Sequence, residues 1–568
     1  MNNKIFVTSA LPYCNNIPHL GNIIGSTLSG DVYSRFKKIQ GYDVLYLCGI
    51  DCYGTTTEIK AREENLSCEN ICQKYGKLHK NIYDWFNINF DVWGSTINKN
   101  QTELTQTIFL NLYKNGFIEE KKSIQMYCQN CDMFLADRYL KGLCYHKECL
   151  GKKNMTNGDQ CDKCQKFINV TKIINPFCYI CKNSPFLKET EHLYLKLGNL
   201  SDEIKKFNFE DPKISMSDQS KSIIKSWFDL GLESRCITRD LKWGTPIPWQ
   251  YDNILNKYKN KVFYVWFDAV FSYFSILMNA KDNWKEWITN DIKWILFMGI
   301  DNLPYHLITF AGSILGSKLD LPLPKKIYSI PYLMYEGRKF SKSNNIGIFG
   351  NQVIEISNKL DINEDYWRFY LVKIRPENNI ASFDWNEFLN IIKCDLVNNI
   401  GNFINRCFDM IEKFCYNEVL YTPNNELEIF KFINSYVDSI ENFSIRNSLN
   451  ICLGLSTYGN TFLQSNKPWL IFKTKDIILL NLILGKAIMI CYTLLYLLFP
   501  IIPKITYGLL NRFEFNDKIN NIDDLKNKLS TSFKIKINKI NYSLPFKNLD
   551  KNIIKNVLIE LNIKSNIY

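Results

Sequence analysis

The sequence predicts an α/β fold built on a parallel sheet, with a cysteine-rich segment set into it and an all-α domain behind it. Three observations lead there: a strand, helix, strand order at the start, four close cysteine pairs between about 121 and 185, and helical periodicity from about Leu389 onward. The first segment, Lys4 to Ala10, alternates apolar and polar residues and then meets Pro12, which ends a strand in a loop. From Gly21 to Ile39 the apolar residues Ile23, Ile24, Leu28, Val32 and Phe36 recur at helical spacing, and Gly41 supplies the stop. Asp43 to Cys48 is a second short strand, leading into the loop Gly49 to Gly54. In parallel α/β sheets ligands sit beyond the carboxyl ends of the strands, so the two loops are the places to look for chemistry.

Apolar strand and helix patterns resume at Val262 to Phe274 and at Trp294 to Met298, as if the sheet were completed after an interruption. Amphipathic helices then run through Lys504, and the tail from Asn516 is polar. At 568 residues the chain exceeds one core, so several domains are expected. A hydrophobic share of 46% with 14% aromatics is enough to fill them, which excludes a disordered chain. The formal net charge of +12 suits a polyanionic partner, because lysines and arginines that neutralise phosphates release counterions, but scattered lysines produce the same excess without one.

The nineteen cysteines would suggest a disulfide framework in a secreted protein. The start, MNNKIFVTSALPY, enters a strand pattern directly with no basic-then-apolar leader, so a reducing compartment is expected. Ala487 to Pro503 is the one stretch that could span a bilayer; it is barely long enough, contains two prolines and lies between Lys486 and Lys504, and it reads as a buried helix.

The loop after the first strand reads Ala10-Leu11-Pro12-Tyr13 and continues to Pro18-His19-Leu20-Gly21-Asn22 at a helix start. Unpaired backbone donors and the positive end of the helix face a phosphate there, His19 adds a donor, and Gly21 lets a flat base lie on the backbone. Alone, such a turn is ordinary. Its partner is a basic loop far downstream, Tyr335-Glu336-Gly337-Arg338-Lys339-Phe340-Ser341-Lys342-Ser343, whose two lysines could neutralise a departing pyrophosphate. Between them lie Cys128-x-x-Cys131, Cys144 with Cys149, Cys161-x-x-Cys164 and Cys178-x-x-Cys181, eight thiols that suit two tetrahedral structural Zn²⁺ knuckles. The second pair has a wider gap, and His146-x-x-Cys149 is a rival to Cys144. Cys48, Cys52, Cys68 and Cys72 read as packing residues in regular elements.

HLGN and KFSKS, in that order, resemble the HIGH and KMSKS hallmarks of class I aminoacyl-tRNA synthetases. Asn22 stands for the second histidine, and Phe340 for Met is read as altering only an apolar position. The segments ALPY, CGIDCYGT, CITRDLKWGTPIP, YVWFDA, NLPYH and IGNFINR are similar to those of the methionyl-tRNA synthetase family, eukaryotic cytosolic members above all, over nearly the whole chain. The resemblance implies a Rossmann-type catalytic domain in two halves, 1–115 and 251–327, around a zinc-knuckle insertion at 116–250. A KFSKS-loop and stem-contact region at 328–390, an α-helical anticodon-binding bundle at 391–540 and a tail at 541–568 complete the expectation.

The resemblance also implies roles. His19, Lys339 and Lys342 would be catalytic, and with Pro12, Gly21, Asn22 and Ser341 would bind ATP and its Mg²⁺. Asp51 would hold the methionine ammonium, and Leu11, Tyr13, Trp266, Ala269, Val270, Tyr273 and His306 would surround its thioether. Trp266 and Tyr273 would otherwise read as core. The family's pattern nests the cysteines, the inner two pairs on one ion and the outer two on the other. Asn402, Arg406 and Trp469 would read the anticodon of tRNA(Met); without the match they are surface polar groups and a core Trp.

Two rival functions follow from the same residues. A class I synthetase for another amino acid shares the two loops, but the branched-chain enzymes resemble one another in carrying a larger editing domain where this chain has a small, knuckle-filled insertion. A non-catalytic zinc-knuckle RNA-binding protein leaves HLGN and KFSKS unexplained. The expected setting is cytoplasmic with no membrane, and a monomer is favoured.

Overall fold

The computed structural model describes residues 3–567 apart from 159, 160, 162, 165, 167, 342–345, 425, 516 and 539–545. Lys342 and Ser343 therefore lie outside the described residues. The central sheet has six strands in the order Ser215–Met216, Lys326–Ile330, Lys293–Gly299, Lys4–Ser9, Asp43–Ile50 and Val92–Ser95, and every pairing in it is parallel. Lys4–Ser9 lies between the second strand of the chain and one that arrives nearly three hundred residues later, with Phe6 opposite both Leu45 and Trp294. That is where the strand order reverses, and it opens a crevice beyond the carboxyl ends of Ser9 and Gly299.

The helix that follows the first strand starts at Leu20, widens into a π-turn over Ile23–Thr27 and continues as Leu28–Ile39. Gly41 ends it at φ +86°, a conformation that costs glycine little.

The insertion leaves and re-enters the sheet through a long antiparallel pair, Ile118–Cys128 with Phe186–Leu195, running from Ile118 opposite Leu195 to Tyr127 opposite Phe186. The cysteine pairs sit beyond its far end, on a second small sheet of Leu140–Leu143, Met155–Asn157 and Ile174–Cys178. This knob folds back on the helix Thr55–Glu64, where Tyr139 Oη donates to Glu58 (2.9 Å) and Tyr179 Oη to Glu63 (2.8 Å).

The C-terminal half is helical as expected, with Asn402–Cys415, Leu427–Glu441, Ile445–Asn466 and Ile477–Leu498 as its longest members. To these the structure adds a three-stranded antiparallel sheet, Glu418–Tyr421, Phe533–Ile537 and Phe513–Glu514. Ile477–Leu498 is long and apolar enough to cross a membrane, at a mean hydropathy of 2.1. Residues Ala487 to Leu498 are all buried among neighbouring helices, which is what an all-round apolar helix at the centre of a bundle requires.

Arg368, fully buried, joins the two halves. It donates to Asp31 of the first helix (2.7 Å), to the carbonyls of Pro500 (2.9 Å) and Ile501 (2.8 Å) behind the long bundle helix, and to that of Phe86 (2.9 Å). The tail folds back as well: Lys551–Glu560 packs on Gly350–Leu360, and Asn566 N–H donates to Glu336 at 2.6 Å.

Candidate active site

The loop after Ser9 and the loop after Ile50 are stitched together by backbone. Asp51 N–H donates to Pro12 O (2.9 Å) and Cys14 N–H to Asp51 O (3.1 Å), so Tyr13 and Asp51 stand side by side at the crevice. The Asp51 carboxylate is buried, and burial, followed by the nearby Cys14 and Asp268, pushes its pKa well above the usual carboxylate value. Among the described residues no cation pairs with it, so a ligand ammonium arriving there would be strongly favoured.

Around Asp51 lies an aromatic wall. Tyr13 meets Trp266 edge-on at 6.0 Å, and Trp266 stacks on Tyr305 at 3.9 Å. Tyr273 Oη lies 2.9 Å from His306 Nε2, while His306 Nδ1 lies 3.0 Å from the Asn302 carbonyl. A carbonyl can only accept, so Nδ1 carries the proton and Nε2 accepts from the tyrosine. Burial lowers the His306 pKa to about 4 and keeps the ring neutral. Leu11 and Ala269 are half-buried, whereas Val270 is enclosed in the core beneath.

Two residues here carried no role in the sequence reading. Tyr305 lay inside the quoted NLPYH, and only its stacking partner reveals it. Asp268 lay inside YVWFDA; buried, it accepts from Gln101 Nε2 (2.7 Å), Thr105 (2.7 Å) and Thr245 (3.0 Å), and so fixes the short helix Val265–Asp268 that presents Trp266. The three donors temper a pKa that burial still lifts to about 6.

At the other end of the crevice His19 caps the helix. Its Nδ1 accepts from Asn22 N–H (3.3 Å), and Asn22 Oδ1 accepts in return from His19 N–H (3.2 Å). Burial lowers the His19 pKa to about 4, so the ring is neutral, and with Nδ1 accepting, Nε2 holds the proton and is free to donate. Asn22 is exposed and keeps its amide N–H groups, since the cap uses only its oxygen. Gly21 is needed for closeness: a Cβ there would stand 3.0 Å from the His19 ring.

The basic loop reaches the same place. Phe340 stacks on His19 with centroids 4.2 Å apart, which corrects the reading of this position as a merely apolar one. Lys339 is exposed, its ammonium 5.5 Å from the Tyr332 ring, and Asp301 at the crevice mouth hydrogen bonds to Tyr332 and feels the Lys339 charge. Ser341 and Ile346 exchange two backbone hydrogen bonds, of 2.8 and 2.9 Å, at the base of the segment that contains Lys342.

The cysteines form two quartets, Cys128 with Cys131, Cys178 and Cys181, and Cys144 with Cys149, Cys161 and Cys164, each with all sulfurs within 4.8 Å of one another. Metal–sulfur bonds of about 2.3 Å in a tetrahedron place sulfurs about 3.8 Å apart. The recorded separations are 3.4 and 3.8 Å in the outer set and 3.8 Å twice in the inner, so both fit zinc. Cys144 belongs to the inner quartet; His146 Nδ1 stands beside it, 3.3 Å from Cys144 Sγ and 3.5 Å from Cys164 Sγ.

In the helical half, Asn402 Nδ2 and Arg406 both donate to Asn460 Oδ1 at 3.1 Å, and the Arg406 guanidinium lies 5.9 Å from the Trp469 ring. The three predicted residues thus share one face, and Asn460, absent from the sequence reading, holds two of them.

A parallel sheet that reverses order at its first strand, with a capping histidine on which Phe340 of the KFSKS motif stacks, defines the architecture of a class I aminoacyl-tRNA synthetase. The family model for tRNA synthetases class I (M) matches residues 5–408. The chain is 50% identical over 548 residues to the methionine–tRNA ligase of Acanthamoeba polyphaga mimivirus, covering 96% of this chain and 98% of that one. It is 39% identical over 514 residues to the cytoplasmic methionine–tRNA ligase of Homo sapiens, covering 89% of this chain and 56% of that one. In fold it is similar to the Mycobacterium tuberculosis methionyl-tRNA synthetase solved with methionyl-adenylate, with a TM-score of 0.75 at 16% identity over 96% of this chain and 99% of that one. The chain belongs to the methionyl-tRNA synthetase family of class I.

Proposed function

We infer that the chain is a methionine–tRNA ligase that activates methionine with ATP and transfers it to tRNA(Met). The observation that carries the reading is the meeting of His19 and the KFSKS loop over a crevice whose other end holds a buried, cation-seeking Asp51. In the first step a methionine carboxylate oxygen attacks the α-phosphorus of ATP in line and pyrophosphate leaves. In the second, the terminal ribose hydroxyl of tRNA attacks the carbonyl carbon of the adenylate and AMP leaves. Little covalent chemistry is asked of the protein, so positioning and charge stabilisation supply the rate.

Asp51 holds the ammonium, and Trp266, Tyr13, Leu11, Ala269, Val270, Tyr273 and His306 form or back the thioether pocket, where aromatic walls suit a polarisable sulfur. His19 donates from Nε2 to a phosphate oxygen, Pro12, Gly21, Asn22 and Ser341 shape the nucleotide site, and Lys339 with Lys342 meets the pyrophosphate. Mg²⁺ enters with the nucleotide, since it binds with few protein ligands. Rejecting homocysteine, one methyl group shorter, is worth only about 1–3 kcal/mol in such a pocket, so some proofreading within it fits the arithmetic.

One structural zinc per cysteine quartet stiffens the knob that leans on Thr55–Glu64 beside the pocket, and Asn402, Arg406 and Trp469 read anticodon bases. Every assigned group lies on one chain, so a monomer suffices, and we place it in the cytoplasm.

Methionine-dependent ATP–pyrophosphate exchange by the purified chain, together with charging of tRNA(Met), tests the reading. Exchange stimulated equally by leucine, valine or cysteine, or absent with every amino acid, would overturn it.

A further inference from the structure

Three cysteines outside the knuckles also converge. Cys14 follows Tyr13 in the first loop, Cys52 follows Asp51 just past the end of its strand, and Cys72 lies in the helix Cys68–Trp85; their sulfurs all lie within 4.8 Å of one another, and none of the three is more than 2% exposed. Cys14 Sγ is 3.3 Å from Cys72 Sγ and 3.7 Å from Thr57 Oγ1. The expectation that Cys52 and Cys72 merely pack is therefore incomplete. Packing alone places one small side chain beside another; it does not call for three thiols from three elements to aim at one point. A cavity of about 460 Å³ lies beside this point, lined by Cys52 and Cys72 but not Cys14, with Glu69, Lys77, Trp93 and Asn98 also on its wall.

We propose that Cys14, Cys52 and Cys72 form a third metal site, holding one divalent ion of the zinc class by three thiolates with its fourth position open to the cavity. Zinc sites with three protein ligands keep a fourth place for water or another small donor, and the cavity supplies one. Tetrahedral thiolates stand about 3.8 Å apart, so the trio needs adjustments of several tenths of an ångström, the Cys14 to Cys72 separation widening. A divalent ion leaves one net negative charge on three thiolates where a monovalent ion would leave two, and the charges on the cavity wall, Lys77 and Glu69, balance one another. Among the described residues no histidine or carboxylate joins the trio within the same distance, which separates this site from the closed quartets. The ion would tie the loops bearing Tyr13 and Asp51 to the helix behind them.

Metal analysis of the full chain, dialysed against micromolar zinc, tests this. Wild type should carry three equivalents, and Cys14→Ser and Cys72→Ser two each, with unfolding temperatures showing that the variants fold. The quartets contribute alike to all three proteins, so the difference reads the trio alone. Independently of any variant, cobalt titration of the metal-stripped wild-type chain should saturate at three equivalents, with thiolate-to-cobalt charge-transfer absorption growing to the third. Equal metal content in all three proteins, or saturation at two equivalents, overturns the proposal.

Discussion

The imidazole of His19 lies flat on the ring of Phe340, centroids 4.2 Å apart and planes within 4° of parallel, although 321 positions separate them in the chain. The stack joins the ring that caps the first helix and the segment Lys339–Ser341 as one unit. Aromatic pairs of this kind contribute about 0.5–1.5 kcal/mol beyond their burial. Phe340→Leu should accordingly slow ATP–pyrophosphate exchange by about two- to tenfold while leaving the methionine KM unchanged. A raised methionine KM with unchanged turnover would place the role of Phe340 elsewhere.

Burial holds the His19 pKa at about 4, against about 6.5 for a free histidine. The folded chain therefore binds this proton less readily than the unfolded chain, and the associated stability is present above pH 6.5 and lost as pH falls towards 4. Below that range Nδ1 is protonated and can no longer accept from Asn22 N–H, so the cap breaks. Exchange rates should show no inflection from His19 between pH 6 and 8. An inflection near pH 6.5 that disappears in His19→Asn would show that the ring titrates freely.

The two quartets predict separable zinc ions. Cys131→Ser should release one equivalent and Cys161→Ser another, each lowering the unfolding temperature, because zinc bound to such a knob is part of its folding energy. Metal analysis of each variant checks this, and an undiminished zinc content in either would remove that quartet from the account.

Trp469, with Arg406 at 5.9 Å from its ring, offers a stacking surface in the helical half. Base stacking on an aromatic is worth about 1–3 kcal/mol by alanine substitution. Trp469→Ala should weaken tRNA charging by about five- to a hundredfold and leave tRNA-free exchange nearly intact. Equal losses in the two assays would argue against an anticodon role.

Arg368 and Asp31 form a buried pair at 2.7 Å, shared with Arg35 at 2.8 Å. Removing the shared carboxylate leaves the fully buried Arg368 without its counter-charge, at a cost of about 3–5 kcal/mol. Asp31→Asn should lower the urea midpoint strongly, and adding Arg368→Met should restore part of the loss. A double variant as unstable as the sum of the singles would mean that the pair is not coupled.

How much of this was legible depended on distance along the chain. The cysteine pairs announce themselves because zinc knuckles draw ligands from positions close along the chain, here three to five apart, and the two sulfur quartets have the nesting that the family resemblance implies. The helix from Leu20 was readable from its apolar period and from Gly41, although the π-turn within it leaves that period unmarked. The Ile477–Leu498 helix was visible as an apolar run, and its place at the centre of the bundle rests on neighbours that sequence alone does not name. Asp268 and Tyr305 sat unremarked inside quoted motifs and Asn460 outside any motif, because each acts through a partner from another element.

By itself the sequence determined the strand and helix order, the two motif-bearing loops, the thiol pairs and the family they resemble. All of these rest on local spacing, which backbone geometry converts directly into a face, a turn or a ligand pair. Tertiary structure alone decided that Phe340 covers His19, that three cysteines from three elements meet behind Tyr13 and Asp51, and that Asn566 of the tail grips Glu336 beside the KFSKS loop at 2.6 Å. Those contacts join residues dozens to hundreds of positions apart, and only the packing of whole elements against one another brings them within reach.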